Sequence, residues 1–147
     1  MCIRDRVEGE GVEVLVEARV YPTEDPEKVK VAIENVLFGG EYELRPSPDG
    51  LGHILIARAS GREALSKLRA LIRIGRISDA ARGVLLKAIT GDRMIFYLNK
   101  QAAYARHISF SEPVGESPLG PIKIEVRCPD PRALIDWLAP SSAAGSP

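Results

Sequence analysis

Cysteine, histidine and long apolar runs are all scarce in this sequence, and each scarcity removes a class of function. The two cysteines, Cys2 and Cys128, lie far apart, and the first sits in an opening hexapeptide of foreign character. Neither a disulfide framework nor a cysteine zinc cluster can be assembled from them within one chain. Cys128 therefore reads as a buried, inert thiol. His53 and His107 belong to no metal-ligand spacing pattern, so they read as ordinary strand residues, and no metal or other cofactor is expected. No stretch approaches the roughly 18 to 20 consecutive apolar residues of a membrane span. No signal peptide precedes the first strand pattern, and the expectation is a cytoplasmic protein with no membrane partner. Missing too are a G-x-S-x-G elbow, a G-x-x-x-x-G-K-[ST] loop and a G-x-G-x-x-G turn. With no catalytic constellation visible, the chain is not expected to be an enzyme.

The opening residues 1–6, MCIRDR, match ATG TGT ATA AGA GAC AG- when written back into codons, which resembles a sequencing-library adapter end. They read as an artefact and are set aside before fold reasoning. Residues 7–140 suit one domain with a proper core, since chains of roughly 100 to 200 residues usually form one. Residues 141–147, SSAAGSP, hold only small, polar and proline residues and read as a disordered tail.

VEVLVEARVY alternates at period two, with Val12, Val14, Val16, Ala18 and Val20 on one face, as in a half-buried strand. In PTEDPEKVKVAIENVLF, Asp25 can cap a helix whose first position is Pro26, and Val29, Ala32, Ile33, Val36 and Leu37 make its apolar stripe. EYELRP and HILIARA read as two strands joined through SPDG. SGRE offers a capping box from Ser60 and Glu63 for a helix running through ALSKLRALIRI, and a second helix follows from about Ser78. MIFYL is a strand covered on both faces or against a helix layer, AYARHISF resumes strand-like alternation, and ESPLGP is a turn. IKIEVRC is the last strand, before a short helix capped by Asp130 with Pro131 at its first position. The fold class expected is α+β: a two-layer sandwich with a mostly antiparallel sheet and helices on one face.

Charge is balanced overall but not along the chain. Residues 8–45 hold ten acidic side chains against four basic ones, while residues 62–87 hold seven basic against Glu63 and Asp79. On a continuous helix at about 100° per residue, Arg62, Arg69 and Arg73 share one flank, and Arg76 joins them only if the helix passes through Gly75. Arginine forks suit phosphates and would give salt-dependent affinity for a nucleic-acid backbone; a solvated basic face answering the acidic half of the chain is the bland alternative. At the strand end YLNKQAAY, Asn99 and Gln101 could bond base edges, Lys100 could neutralise a phosphate, and Tyr97 or Tyr104 could stack on a base. By spacing alone, a polar turn whose Asn99 caps backbone amides is the preferred reading. Asp79 and Arg82, three apart on a helix, read as an ion pair before they read as a catalytic site.

Six collinear segments carry a resemblance: YPTEDPEKVKVAIENV, ISDAARGVLL, FYLNKQAAY, ISFSE, SPLGPIKIEV and LIDWLAP. Together they resemble the archaeal uncharacterised protein family 0201 from about Val12 to Pro140. Pro22 and Thr23 match that family's strand-to-helix corner, Asp79 and Arg82 its middle helix, Asn99 to Gln101 its strand-end motif, and Ser117 to Pro121 its turn. The resemblance implies a fold similar to the ribosomal protein that binds five-S RNA in the large subunit, and a place among predicted RNA-binding proteins. The expectation is thus a noncatalytic binder of RNA, ribosomal RNA included, in archaeal ribosome or RNA metabolism. Arg62, Arg69, Arg73, Arg76 and Arg82 would face phosphates, and Asn99, Lys100 and Gln101 sugars or bases. The alternative is a self-association module, a homodimer in which the acidic strand-helix surface of one copy meets the basic helices of another.

Overall fold

The computed structural model describes residues 11–110 and 121–140. The hexapeptide, the tail and most of the turn expected at Ser117–Pro121 lie outside the described residues. Among the described residues, six strands form one antiparallel sheet: β1 (Glu13–Val20), β2 (Glu41–Pro46), β3 (His53–Ser60), β4 (Ile89–Thr90), β5 (Arg93–Asn99) and β6 (Pro121–Arg127), in the order β2-β3-β1-β6-β5-β4. Five helices accompany it: α1 (Pro26–Glu34), α2 (Ser66–Ile74), α3 (Ser78–Lys87), α4 (Lys100–Tyr104) and α5 (Pro131–Leu138).

Period-two alternation decides which face is covered. Val14, Val16 and Ala18 of β1 register with Ala59, Ala57 and Leu55 of β3 on one side, and with Val126, Ile124 and Ile122 of β6 on the other. Met94, Phe96 and Leu98 extend the same apolar face into β5. Against it pack Ile33 of α1, Leu68 and Ile72 of α2, Leu85 of α3 and Ile135 of α5, all essentially fully buried. Each such side chain contributes roughly 1.5–3 kcal/mol over leaving it in water. The opposite face alternates Glu13, Leu15, Glu17 and Arg19 with Arg127, Glu125 and Lys123, as an antiparallel sheet can when one side meets solvent.

Several expectations need correction. The SGRE capping box does not form: Ser60 is the last residue of β3, registered with Glu13, and Gly61 donates its amide to Val12 O at 2.8 Å. With no side-chain cap, the chain enters a 3-10 turn at Arg62–Leu65 before α2. Arg62 therefore stands off the regular α-helical phase that placed it with Arg69 and Arg73. α2 ends at Ile74 with Gly75 as its C-cap, so Arg76 leaves the flank altogether. AYARHISF is not a strand. Asn99 accepts the Ala102 amide at 2.8 Å and starts α4, and only Phe110 returns to the sheet, through an isolated bridge to Leu98. His107 consequently lies outside any strand, whereas His53 opens β3. The short strand β4 went unread behind α3.

Candidate nucleic-acid interface

The five arginines between Arg62 and Lys87 divide into two sets. One set turns inward onto the last helix. Arg69 donates from Nε to Trp137 O at 2.8 Å, and its guanidinium lies 5.0 Å from the centre of the Trp137 ring. Arg62 approaches the same ring at 4.9 Å. Arg82 pairs with Asp136 at 2.7 Å and reaches Ala139 O at 3.4 Å, while Ser78 Oγ donates to Pro140 O at 2.5 Å. The last carbonyls of a helix have no partner within it and carry the negative end of its dipole. Two cationic forks and a hydroxyl from α2 and α3 thus satisfy the C-terminal end of α5. Arg62, Arg69 and Arg82 have structural work that their spacing could not disclose.

The other set faces solvent. Arg73 and Arg76 are exposed, and among the described residues neither guanidinium has a hydrogen bond or ion pair. α2 closes with Gly75 N on Leu71 O at 2.9 Å, Arg76 N on Arg73 O at 3.1 Å and Ile77 N on Ile72 O at 3.2 Å. This Schellman geometry needs a left-handed residue, usually glycine. Here Gly75 stays right-handed and Arg76 takes φ +56°. α4 ends the same way: Arg106 N meets Ala103 O at 3.0 Å, His107 N meets Ala102 O at 2.8 Å, and Arg106 has φ +65°. Among the described residues, Arg76 and Arg106 are the two non-glycine residues with positive φ. Each conformation costs an L-residue on the order of 1–2 kcal/mol. Arg106 escaped the sequence reading because α4 itself did; an Asn followed by KQAAY was the available signal.

The strand-end motif splits likewise. Asn99 caps α4, the reading its spacing preferred. Lys100 is 4% exposed, with Nζ donating to Arg19 O at 2.6 Å and to both Glu24 carboxylate oxygens at 3.1 Å, and Tyr21 lies 5.7 Å away. Burial lowers the Lys100 pKa, and Glu24 opposes that shift by favouring the ammonium. Its charge is spent on joining β1, the α1 entry and α4. Gln101 alone of the three is exposed, and it lines a cavity of about 330 Å3 between α1 and α4 together with Thr23, Lys28, Val29, Ala32 and Tyr104. α2 and α3 pack on α5, while α4 packs on α1 and β5, so the arginines and the strand-end motif have different neighbours in the fold. Among the described residues no group of three His, Cys, Asp or Glu side chains could hold a metal ion, and no helix is long and apolar enough to cross a membrane. Cys128 is buried, which pushes its thiol pKa up.

Residues 13–128 match the family model RNA_binding, described as RNA binding. A UPF0201 protein of Sulfolobus acidocaldarius is 45% identical over 134 residues, covering 91% of each chain. One from Thermococcus kodakarensis is 47% identical over 135 residues, covering 92% of this chain and 94% of its own. The chain belongs to the UPF0201 family. A crystal structure of the UPF0201 protein from Methanococcus jannaschii shares the fold with a TM-score of 0.77 at 32% identity, covering 88% of this chain and 93% of that one. In this UPF0201 chain the RNA-binding match stops at Cys128, before α5, so the helix held by Arg62, Arg69 and Arg82 lies beyond it.

Proposed function

We propose that this chain is a noncatalytic RNA-binding protein of the archaeal cytoplasm, acting in ribosome or RNA metabolism, and that Arg73 and Arg76 at the α2–α3 corner hold RNA phosphates. The observation that carries the reading is Arg76 itself. A left-handed helix end is filled by an arginine although glycine would fit without strain and sits one residue earlier. Backbone strain of this kind concentrates at sites where the side chain is needed. Arg73, one turn back, is exposed as well, and the segment around both carries seven cations against two anions. Arginine presents a planar fork of donors to phosphate and releases counterions on binding.

The match to a family model described as RNA binding supports the ligand class, and ribosomal RNA is the target that the sequence resemblance implies. Of the other residues expected to meet RNA, Gln101 is exposed, and its side-chain amide has no hydrogen bond among the described residues. Arg62, Arg69, Arg82, Asn99 and Lys100 hold the surfaces in place. A filter-binding titration against ribosomal RNA at rising salt tests the reading. Arg73→Ala with Arg76→Ala should weaken binding, and unchanged binding would end it.

A further inference from the structure

The groove between α1 and α4 has a chemistry distinct from that of the arginine corner. Its floor is apolar: Val29 and Ala32 are 3% and 1% exposed. Its rim is polar and aromatic, with Tyr104 47% exposed, Gln101 and Thr23 offering donors and acceptors, and Lys28 at the edge. Lys28, Val29 and Ala32 share one face of α1, Asp25 caps its start, and Gln101 and Tyr104 answer from α4. The walls contain two carboxylates, but they are not equivalent. Glu24 is neutralised by Lys100 at 3.1 Å, and Asp25 Oδ1 is taken by the Glu27 amide at 2.9 Å.

We infer that this groove receives one unstacked nucleobase of single-stranded RNA. The inference rests on RNA binding as the function and adds where a base, as distinct from phosphates, is held. A nucleobase has apolar faces and a polar edge, which matches an apolar floor under a hydrogen-bonding rim. The Tyr104 ring supplies a stacking surface, which any base can use. The Gln101 amide can pair with a base edge, and the second oxygen of Asp25 can accept from an exocyclic amino group, as carboxylates do from cytosine. Asp25, the carboxylate in this wall without a cationic partner among the described residues, disfavours a phosphate beside it, leaving the RNA backbone to Lys28 at the mouth of the groove. At about 330 Å3 the space is at the small end of the roughly 300–1,000 Å3 range of ligand sites. A paired duplex has no free base to offer.

The test compares a ten-nucleotide single strand with a blunt RNA duplex by fluorescence anisotropy, using wild type, Tyr104→Ala, Tyr104→Phe, Gln101→Ala and the Arg73→Ala/Arg76→Ala pair. Tyr104→Ala is expected to weaken single-strand binding about tenfold, the loss of one base stack, while Tyr104→Phe stays near wild type and duplex binding is unchanged. Amide resonances of Lys28, Gln101 and Tyr104 should shift when adenosine or uridine monophosphate is added. Wild-type single-strand affinity in Tyr104→Ala and Gln101→Ala, with the arginine pair weakened, would overturn the groove and leave the RNA reading standing. Equal loss on single strand and duplex would overturn it too. Absence of RNA binding by the wild type would remove both.

Discussion

Arg69 holds Trp137 twice, through an Nε hydrogen bond of 2.8 Å to its carbonyl and a guanidinium 5.0 Å from its ring centre. A hydrogen bond from a charged donor contributes roughly 1.5–3 kcal/mol and an exposed cation–π contact about 0.5–1 kcal/mol. Arg69→Ala should therefore lower stability by roughly 2–4 kcal/mol in urea melts. Arg69→Lys should recover only part of that, because an ammonium cannot reproduce both contacts. Below the melting transition, RNA affinity of Arg69→Ala should equal wild type; a specific loss of affinity in the folded variant would show that this arginine also meets RNA.

Arg76→Gly separates strain from function. Glycine relieves the left-handed penalty at the end of α2, so the variant should be more stable by up to about 1 kcal/mol, even after its greater unfolded-chain entropy is counted. RNA affinity should fall at the same time. Were the arginine present only for the helix end, stability would change and affinity would not.

Much of this architecture was legible in the residues. Asp25-Pro26 and Asp130-Pro131 mark helix starts by a cap plus a pre-set φ, and both caps are formed, through the Glu27 and Ala133 amides. The period-two run of β1 places its covered face correctly, because a one-residue slip would expose Val14, Val16, Ala18 and Val20, whereas the unbroken apolar run of MIFYL did not disclose that β5 buries only alternate residues. What the spacing could not reveal was which partners cross the fold. Arg69 meets a carbonyl 68 residues away and Lys100 a carboxylate 76 residues away, and no local pattern encodes such distances. α4 was missed because five residues of helix leave too little periodicity to outweigh the strand-like alternation after them.

Lys100 and Glu24 form a pair with 5% and 11% side-chain exposure. Removing one partner leaves an uncompensated buried charge, which typically costs 3–5 kcal/mol, whereas replacing both with apolar residues can be neutral. Lys100→Met alone should be strongly destabilising by about that amount, and Lys100→Met with Glu24→Leu should recover most of it. Additive losses in a double-mutant cycle would contradict the pairing.

The β2–β3 turn is tied by Asp49, which accepts from Arg19, from Ser47 Oγ at 2.6 Å and from the Leu51 amide at 3.0 Å. These donors hold its carboxyl well below the usual carboxylate range, the Arg19 bond most of all. A folded pKa below the unfolded value means stability that is complete above about pH 4 and is lost as pH falls through the folded pKa. The stability gap between wild type and Asp49→Asn should be constant from neutral pH down to about pH 5 and shrink below about pH 4. A gap independent of pH in chemical denaturation would refute the assignment.

The division of the basic segment, with some arginines holding α5 and others facing RNA, is tested most directly by the salt dependence of ribosomal-RNA binding. The measurement is the slope of log affinity against log salt for wild type, Arg69→Ala and Arg73→Ala/Arg76→Ala. The arginine pair should bind more weakly at every salt, with a slope shallower by about 0.7 per lost contact to single-stranded RNA, while folded Arg69→Ala follows wild type. Coincident lines for wild type and the Arg73/Arg76 pair would contradict the account.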